Sequence, residues 1–128
     1  MAMLHQPRPD NIVMCDYRGF VVPEMVKVRP VVVIARNRKN RKLVTVAPLS
    51  KTSPDALEHR YHALTRNPLP GREAISCWAK CDMVTTVSLG RLDRYKIGRD
   101  HYAVPTLPAA DFEAIRRAVA NALDLIHI

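Results

Sequence analysis

The stretch VKVRPVVVIARNRKN, residues 26–40, decides the fold because it sets a β-branched apolar run between two groups of basic residues. The run from Val31 to Ala35 is short and rich in valine, which predicts a buried β-strand. Pro30 fixes the backbone at the front of this strand, although it gives up a backbone donor. Arg29 is thereby held at the strand mouth, where it either caps a rim or faces a ligand.

The rest of the chain predicts further short strands and one helix. Strands are expected at residues 11–17 (NIVMCDY), 43–49 (LVTVAPL), 59–64 (HRYHAL) and, as one strand or two, 74–87 (AISCWAKCDMVTTV). From Ala109 to Leu125 apolar residues recur at helical spacing, with acidic residues in the first turn. This helix either packs on the core or binds a partner. The pattern predicts a mainly β fold, a small antiparallel barrel or half-open barrel with a C-terminal helix.

Composition limits the function classes. The chain has 128 residues, of which 48% are hydrophobic and 25% charged, so it is long enough for one domain with its own core. We expect residues 1–128 to form that single domain, without internal repeats or linkers. The net charge of +8 predicts attraction to a nucleic acid or an acidic protein, unless the charge serves only solubility.

The cysteines and the hydropathy indicate a cytoplasmic protein. Cys15, Cys77 and Cys81 are odd in number and no signal peptide precedes them, so we expect reduced thiols in the core. The spacing of Cys77 and Cys81 is not that of a zinc site, and no metal is expected. No stretch approaches the roughly 20 apolar residues that span a bilayer, so no membrane is expected either.

The segment CWAKCD, residues 77–82, carries the clearest chemical pattern. On a strand, Trp78, Lys80 and Asp82 would share one face, while the small residues between them would face the core. An aromatic ring, a cation and a carboxylate in a row suit single-stranded nucleic acid, because a base stacks on the ring and a phosphate meets the cation. A solvated strand face with a local Lys–Asp pair is the simpler alternative.

Four pieces in order resemble the PemK/MazF family of toxins: Arg-Pro entering VVVI, then VAPLS, then KCD, then GRLDR. The resemblance runs from about Asp10 to the C-terminal helix. It implies a small SH3-like barrel and a homodimeric endoribonuclease that cuts single-stranded RNA without metal or other cofactor. It also implies a cognate antitoxin, expected to be acidic, whose segment occupies the RNA groove.

The resemblance implies roles for particular residues. Arg29 matches the Arg-Pro arginine, Ser50 the hydroxyl residue after the VxPL strand, and Lys80 and Asp82 the basic and acidic residues of an R-C-D-type motif. These four form the expected catalytic set. The expected RNA contacts are Glu24, Arg36, Arg38, Lys51, Thr52 and Trp78.

The chain departs from some relatives in the loop before the Arg-Pro. Where those relatives have Gly-His-Glu, this loop reads VVPEM, so Glu24 matches the glutamate and Pro23 stands in the place of the histidine. Lys80 also replaces a common arginine. His59 and His62 are candidates to replace the missing histidine, although surface positions on a strand are the simpler interpretation.

Metal-free RNA cleavage needs the chemistry that this set offers. A base takes the 2′-hydroxyl proton, an acid protonates the 5′-leaving oxygen, and cations hold charge on the phosphorus. Arg29 gives two parallel hydrogen bonds to a phosphate, Lys80 supplies charge, and Asp82 is a base or orients one. Two other functions stay open: an SH3-like module that binds RNA or an acidic peptide without cutting, and a toxin-like fold that poisons a DNA-processing enzyme.

Overall fold

The computed structural model describes residues 3–52 and 61–126. Within these ranges the chain forms short strands followed by one helix. The strands are β1 (Ile12–Asp16), β2 (Val28–Arg36), β3 (Leu43–Ser50), β4 (Tyr61–Ala63), β5 (Trp78–Lys80), β6 (Thr85–Ser88), β7 (Leu92–Asp93), β8 (Tyr95–Gly98) and β9 (His101–Ala103), and the helix is α1 (Ala109–Ala122). Short 3₁₀ turns occupy Cys81–Met83 and Leu89–Arg91.

The main sheet is antiparallel and has the order β4-β5-β3-β2-β1-β7, with β6 as an additional partner of β3. Strands β8 and β9 form a separate hairpin. The fold is therefore mainly β with a C-terminal helix, as predicted. Within the described residues, however, the sheet does not close into a barrel, because β4 and β7 end it on either side.

The valines of β2 hold the centre of the sheet. Val31, Val32 and Val33 are all fully buried, because both faces of the strand are covered. Val32 packs in the cluster that contains helix residue Ile115, whereas Val31 and Val33 pack in a second cluster with Val46. Burying each such side chain contributes about 2 kcal/mol. The valine run therefore explains why this strand is central.

The long β-like stretch at residues 74–87 is interrupted. Leu49 pairs with Ala79 and Val46 pairs with Thr85, so three steps along β3 are matched by six along its partner. The 3₁₀ turn at Cys81–Met83 takes up the excess. Asp82 therefore lies beyond the strand, and the prediction that it shares a strand face with Trp78 and Lys80 is wrong.

The helix α1 begins at Ala109, as predicted, and ends at Ala122 rather than near Leu125. Ile115, Ala118 and Val119 are buried in the core. The packing of this face on the sheet confirms the core-facing interpretation of the helix.

A buried carboxylate ties the helix to the segment after β4. Asp111, in the first turn of α1, is only 2% exposed. Its Oδ1 accepts a hydrogen bond from Nε2 of His62 at 3.0 Å, and its Oδ2 accepts one from the hydroxyl of Thr65 at 2.7 Å. Burial raises the pKa of Asp111, but the bonds from His62 and Thr65 outweigh it, so the pKa lies below its usual range.

We predict that Asp111→Ala destabilises the fold by about 2 kcal/mol, because it removes a charged acceptor and leaves two donors unpaired. Urea unfolding measures the loss. Glu113→Ala is the matched control on the same turn, because Glu113 is exposed and its ion pair with Arg116 spans 3.8 Å. That control should change stability by less than about 0.5 kcal/mol. Equal effects of the two substitutions would contradict the role of Asp111.

The native chain and the Asp111→Ala variant also give the pH dependence of the stability that Asp111 contributes. Because the folded pKa of Asp111 is depressed, its contribution is complete above the unfolded pKa, near 3.8, and is lost as the pH falls through the folded value. The stability gap between the native chain and Asp111→Ala should therefore narrow below about pH 4. If the difference in unfolding free energy between the two proteins widened on acidification, another group would control the pH dependence.

Candidate active site

A cavity of about 210 Å³ lies where β2 begins and β3 ends. Arg29 and Pro30 of β2 line it, together with Leu49, Ser50 and the following Lys51. The structure therefore brings Arg29, Ser50 and Lys51 together, as expected of a shared site. Thr52 follows directly and is exposed.

The other side of the cavity includes a loop that Asn67 organises. Asn67 is 6% exposed; its Nδ2 donates to the Ile75 carbonyl at 3.1 Å, and its Oδ1 accepts from the Leu69 N–H at 3.0 Å. Arg72 of the same loop donates from Nε to the hydroxyl of Tyr95 at 3.3 Å. All five residues line the cavity. Sequence analysis did not single out this loop, although its sequence NPLPG, residues 67–71, is typical of a turn.

The cavity lining is positively charged. Among the described residues it includes Arg29, Lys51 and Arg72 and no carboxylate. Within residues 3–52 and 61–126, neither a hydrogen bond nor an ion pair engages the guanidinium of Arg29. An unengaged guanidinium presents a planar fork of donors that matches a phosphate group. The cavity is thus suited to an anion.

Ser50 places a hydroxyl in the lining of this cavity. Its Oγ accepts a hydrogen bond from the Thr52 N–H at 3.1 Å, and the hydroxyl proton stays available for a ligand. Ser50 pairs across the sheet with Trp78 of β5, and opposite residues lie on one face. Trp78 is half-buried and lines a neighbouring cavity with Cys77.

The two predicted carboxylates meet in a different cavity, of about 290 Å³. Glu24 enters it from the β1–β2 loop, and Asp82 enters it from the 3₁₀ turn. Oδ1 of Asp82 is buried and has no hydrogen-bond partner within the described part of the chain. A buried acceptor without a partner is costly and ready to receive a donor from a ligand. The apolar part of the lining comes from Phe20, Pro23, Met25, Met83 and Val84.

The β1–β2 loop is fastened by Arg91, which lies in the GRLDR piece but had no expected role, and by Glu24, an expected RNA contact. Arg91 donates from Nη1 to the carbonyls of Asp16 and Arg18, at 2.9 and 3.0 Å, and stacks over the ring of Phe20 at 4.4 Å. Glu24 accepts from the Val21 N–H at 3.0 Å and so closes the turn at the loop tip. Glu24 is therefore already engaged, unlike Asp82.

Other predicted residues lie outside the two cavities. Lys80 ends β5 opposite Tyr61 and is half-buried, and it lines neither. Arg36, at the far end of β2, donates to the carbonyls of Pro7 and Gln6 at 3.0 and 3.1 Å. Arg36 lies seven positions after Arg29 in the sequence, which corresponds to about 23 Å along the strand. The structure thus keeps Arg36 and the nearby Arg38 away from Arg29.

His62 binds the helix through Asp111, so its ring lies in a structural contact. His59 lies outside the described residues. The three cysteines are free and buried, and burial raises the pKa of Cys77 to about 11, which makes it a poor nucleophile.

The described residues contain neither a cluster of metal ligands nor a membrane-spanning helix. No three His, Cys, Asp or Glu side chains in them are grouped as metal ligands would be. The helix found in the described part of the chain is too short and too polar to cross a membrane.

A family model described as the PemK-like, MazF-like toxin of type II toxin-antitoxin systems matches residues 8–123. The chain belongs to this family. An uncharacterised protein of Haemophilus influenzae is 30% identical over 135 aligned positions, which cover 94% of this chain and 92% of the relative.

Solved structures of the MazF-like fold resemble this chain along nearly its whole length. An endoribonuclease from Mycobacterial species, in complex with its cognate antitoxin, aligns with a TM-score of 0.65 at 21% identity and covers 96% of this chain and 100% of its own. The toxin MazF-mt6 of Mycobacterium tuberculosis aligns with a TM-score of 0.63 at 24% identity, covering 94% and 100%. These likenesses establish the MazF-like fold.

Proposed function

We propose that this PemK/MazF-family chain is the toxin of a type II toxin–antitoxin pair and cuts single-stranded RNA at selected sequences without a metal ion. The unengaged guanidinium of Arg29, beside the hydroxyl of Ser50 in a cavity lined by cations, is the observation that supports it. Family membership supports RNA cleavage as the reaction, and we propose that the cavity binds the phosphate. We place the protein in the cytoplasm, where its three free cysteines stay reduced.

The reaction is an internal attack within the RNA. The 2′-oxygen bonds to the phosphorus and the bond to the 5′-oxygen breaks. A base removes the 2′-hydroxyl proton and an acid delivers a proton to the leaving oxygen. The products are a 2′,3′-cyclic phosphate and a 5′-hydroxyl. Arg29 holds the phosphate by two parallel hydrogen bonds that strengthen as charge builds on its oxygens, and Ser50 donates a further bond.

We assign the base to Asp82. Its buried Oδ1 has no described partner, whereas the Glu24 carboxylate already accepts from Val21. Met25, in the lining of the Asp82 cavity, precedes Arg29 by four residues, so at most about 14 Å of chain separates them. A bound strand can reach both cavities, and the assignment requires that the 2′-hydroxyl beside the phosphate on Arg29 lie within hydrogen-bond reach of Asp82. Lys80 lines neither cavity, so we assign it no contact with the phosphate, and its proposed contribution is positive charge at the end of β5.

Binding without cleavage is the competing function, and the observation that favours it is Pro23 in the place of a family histidine. Pro23 lines the Asp82 cavity and has no titratable group. If Asp82 does not act as the base, the cavities would hold RNA or an acidic peptide intact.

We predict that Arg29→Ala lowers the rate of RNA cleavage at least about a hundredfold, because one donor to the developing charge is lost. Gel analysis of a long single-stranded RNA in chelator measures the rate. The melting temperature should change little, because the guanidinium has no described partner. Lys39→Ala, an exposed cation in the turn between β2 and β3, is the control and should cut normally. Normal cutting by Arg29→Ala would remove Arg29 from the mechanism.

The small size of the cavity supports a homodimer. At about 210 Å³ it lies below the roughly 300–1,000 Å³ that is usual for ligand sites, so one chain provides only a shallow groove. A second copy related by a two-fold axis would lengthen that groove.

Light scattering tests this assembly. We predict a mass of twice 14.5 kDa at micromolar concentration. A mass of 14.5 kDa throughout that range would contradict the homodimer.

We propose an acidic antitoxin segment as the natural inhibitor. The chain carries a net charge of +8, and the cavity that holds Arg29 is lined by cations. A segment that covers these cations would exclude RNA from them. The mycobacterial endoribonuclease of similar fold was solved with its cognate antitoxin, which supports such a partner.

A competition measurement tests the shared site. The antitoxin encoded beside the toxin should displace labelled RNA, and its affinity should fall partly as salt rises, because exposed charges are screened within about 8 Å. Apolar anchors would leave a salt-resistant remainder. Simultaneous binding of both ligands without loss of either affinity would show that the sites are separate.

A further inference from the structure

The hairpin formed by β8 and β9 presents an aromatic ring among cations. Lys96 pairs with Tyr102 across the hairpin, so the two side chains lie on one face. The guanidinium of Arg94 stacks over the ring of Tyr102 at 4.3 Å. Tyr102 is nevertheless 38% exposed, so part of its ring stays open.

The positive charge on this hairpin is opposed in part, since Asp93 lies beside Arg94. Arg94, Lys96 and Arg99 are exposed, and no ion pair engages them within the described residues. Asp100 is the acidic residue of the hairpin turn, and His101 follows it. An exposed aromatic ring flanked by free cations is a stacking platform for single-stranded nucleic acid.

The hairpin is continuous with the cavity that holds Arg29. Tyr95, the first residue of β8, lines that cavity, and its hydroxyl accepts the bond from Arg72. Successive side chains of a strand point to opposite faces, so Arg94 and Lys96 lie on the face away from Tyr95. A strand that leaves the cavity over Tyr95 therefore has to pass around the edge of the hairpin before it meets Lys96 and Tyr102.

We infer that the solvent face of the β8–β9 hairpin, formed by Arg94, Lys96 and Tyr102, is an outer RNA subsite that stacks one base on Tyr102 and holds the adjoining phosphate on the two cations. This inference rests on the proposed function and extends its RNA footprint beyond the two cavities. RNA fits this face better than a protein segment, because among the described residues Tyr102 is its large exposed apolar side chain and a docked peptide needs a broader apolar patch.

The test uses RNA that cannot be cut. Fluorescence anisotropy of 2′-O-methyl oligonucleotides of about 20 and about four nucleotides compares strands that span the hairpin with strands that fill only a cavity. Tyr102→Leu keeps an apolar side chain but removes the aromatic face. It should weaken binding of the long strand about tenfold or more and leave the short strand unchanged. Tyr102→Phe should bind both strands as the native chain does.

Salt dependence tests the contribution of the Lys96 cation. Lys96→Ala should reduce the slope of log affinity against log salt for the long strand by about 0.7, the value for one phosphate contact to a single strand. Lys39→Ala, at the turn between β2 and β3, is the matched control and should leave the slope unchanged. Melting temperatures of all variants check that the fold is kept.

The outcomes separate this subsite from the proposed cleavage. Native affinity of Tyr102→Leu for the long strand overturns the subsite, while cleavage of ordinary RNA that depends on Arg29 would still stand. Binding that depends on Tyr102, without cleavage of ordinary RNA, supports the subsite and overturns the cutting. Loss of antitoxin binding or a changed mass in light scattering, with RNA binding intact, would show a protein interface instead and overturn the inference.

Discussion

The pairing of β2 with β3 is the constraint on which the site depends. Val31 lies opposite Pro48, and Val32 lies opposite Ala47. Continued by two residues, this register sets Arg29 opposite Ser50, at the point where both strands reach the cavity. A slip of one residue would exchange Val32 with Val31 and Val33 between two differently packed clusters and would move Arg29 from its place opposite Ser50, so the register fixes both the core and the site.

Fixed positions matter because Arg29 has no described partner to orient it. The backbone supplies the order: Pro30 restricts the chain next to the arginine, and β1 pairs with the same part of β2 through Cys15. The second cavity is held differently. Arg91 fastens the β1–β2 loop that forms one side of it, and the 3₁₀ turn carries Asp82 on the other. The core thus fixes the position of the cation, whereas the position of the carboxylate cavity depends on a loop.

Local sequence predicted much of this fold. The valine run, the VAPL strand and the helix from Ala109 carry strong periodic signals, and each appears where it was expected. Two strands at residues 74–87 were one of the expected alternatives, but the position of the break at Cys81–Met83 was not predicted, because it follows from two pairings with β3 that no local pattern records. Local sequence could not decide between a closed and a half-open barrel, since closure depends on contacts between strands that are distant in sequence.

The site was predictable only in part. The resemblance pointed to Arg29, Ser50, Glu24 and Asp82, and the structure places the first two in one cavity and the last two in another. Long-range contacts decide the remaining residues. Arg36 looked like an RNA-steering cation, yet it binds the carbonyls of the N-terminal segment, and Arg72 and Tyr95 looked unremarkable, yet they line the cavity. Sequence alone cannot tell a structural arginine such as Arg36 from a cavity arginine such as Arg72, because their contacts are with residues distant in the chain.

The most direct test of the central claim is to incubate the purified chain with a long single-stranded RNA in chelator and map every product end. The account predicts discrete cuts that leave a 5′-hydroxyl on one product and a 2′,3′-cyclic phosphate on the other. RNA that is retarded by the protein but stays intact would contradict it and would identify a binding module.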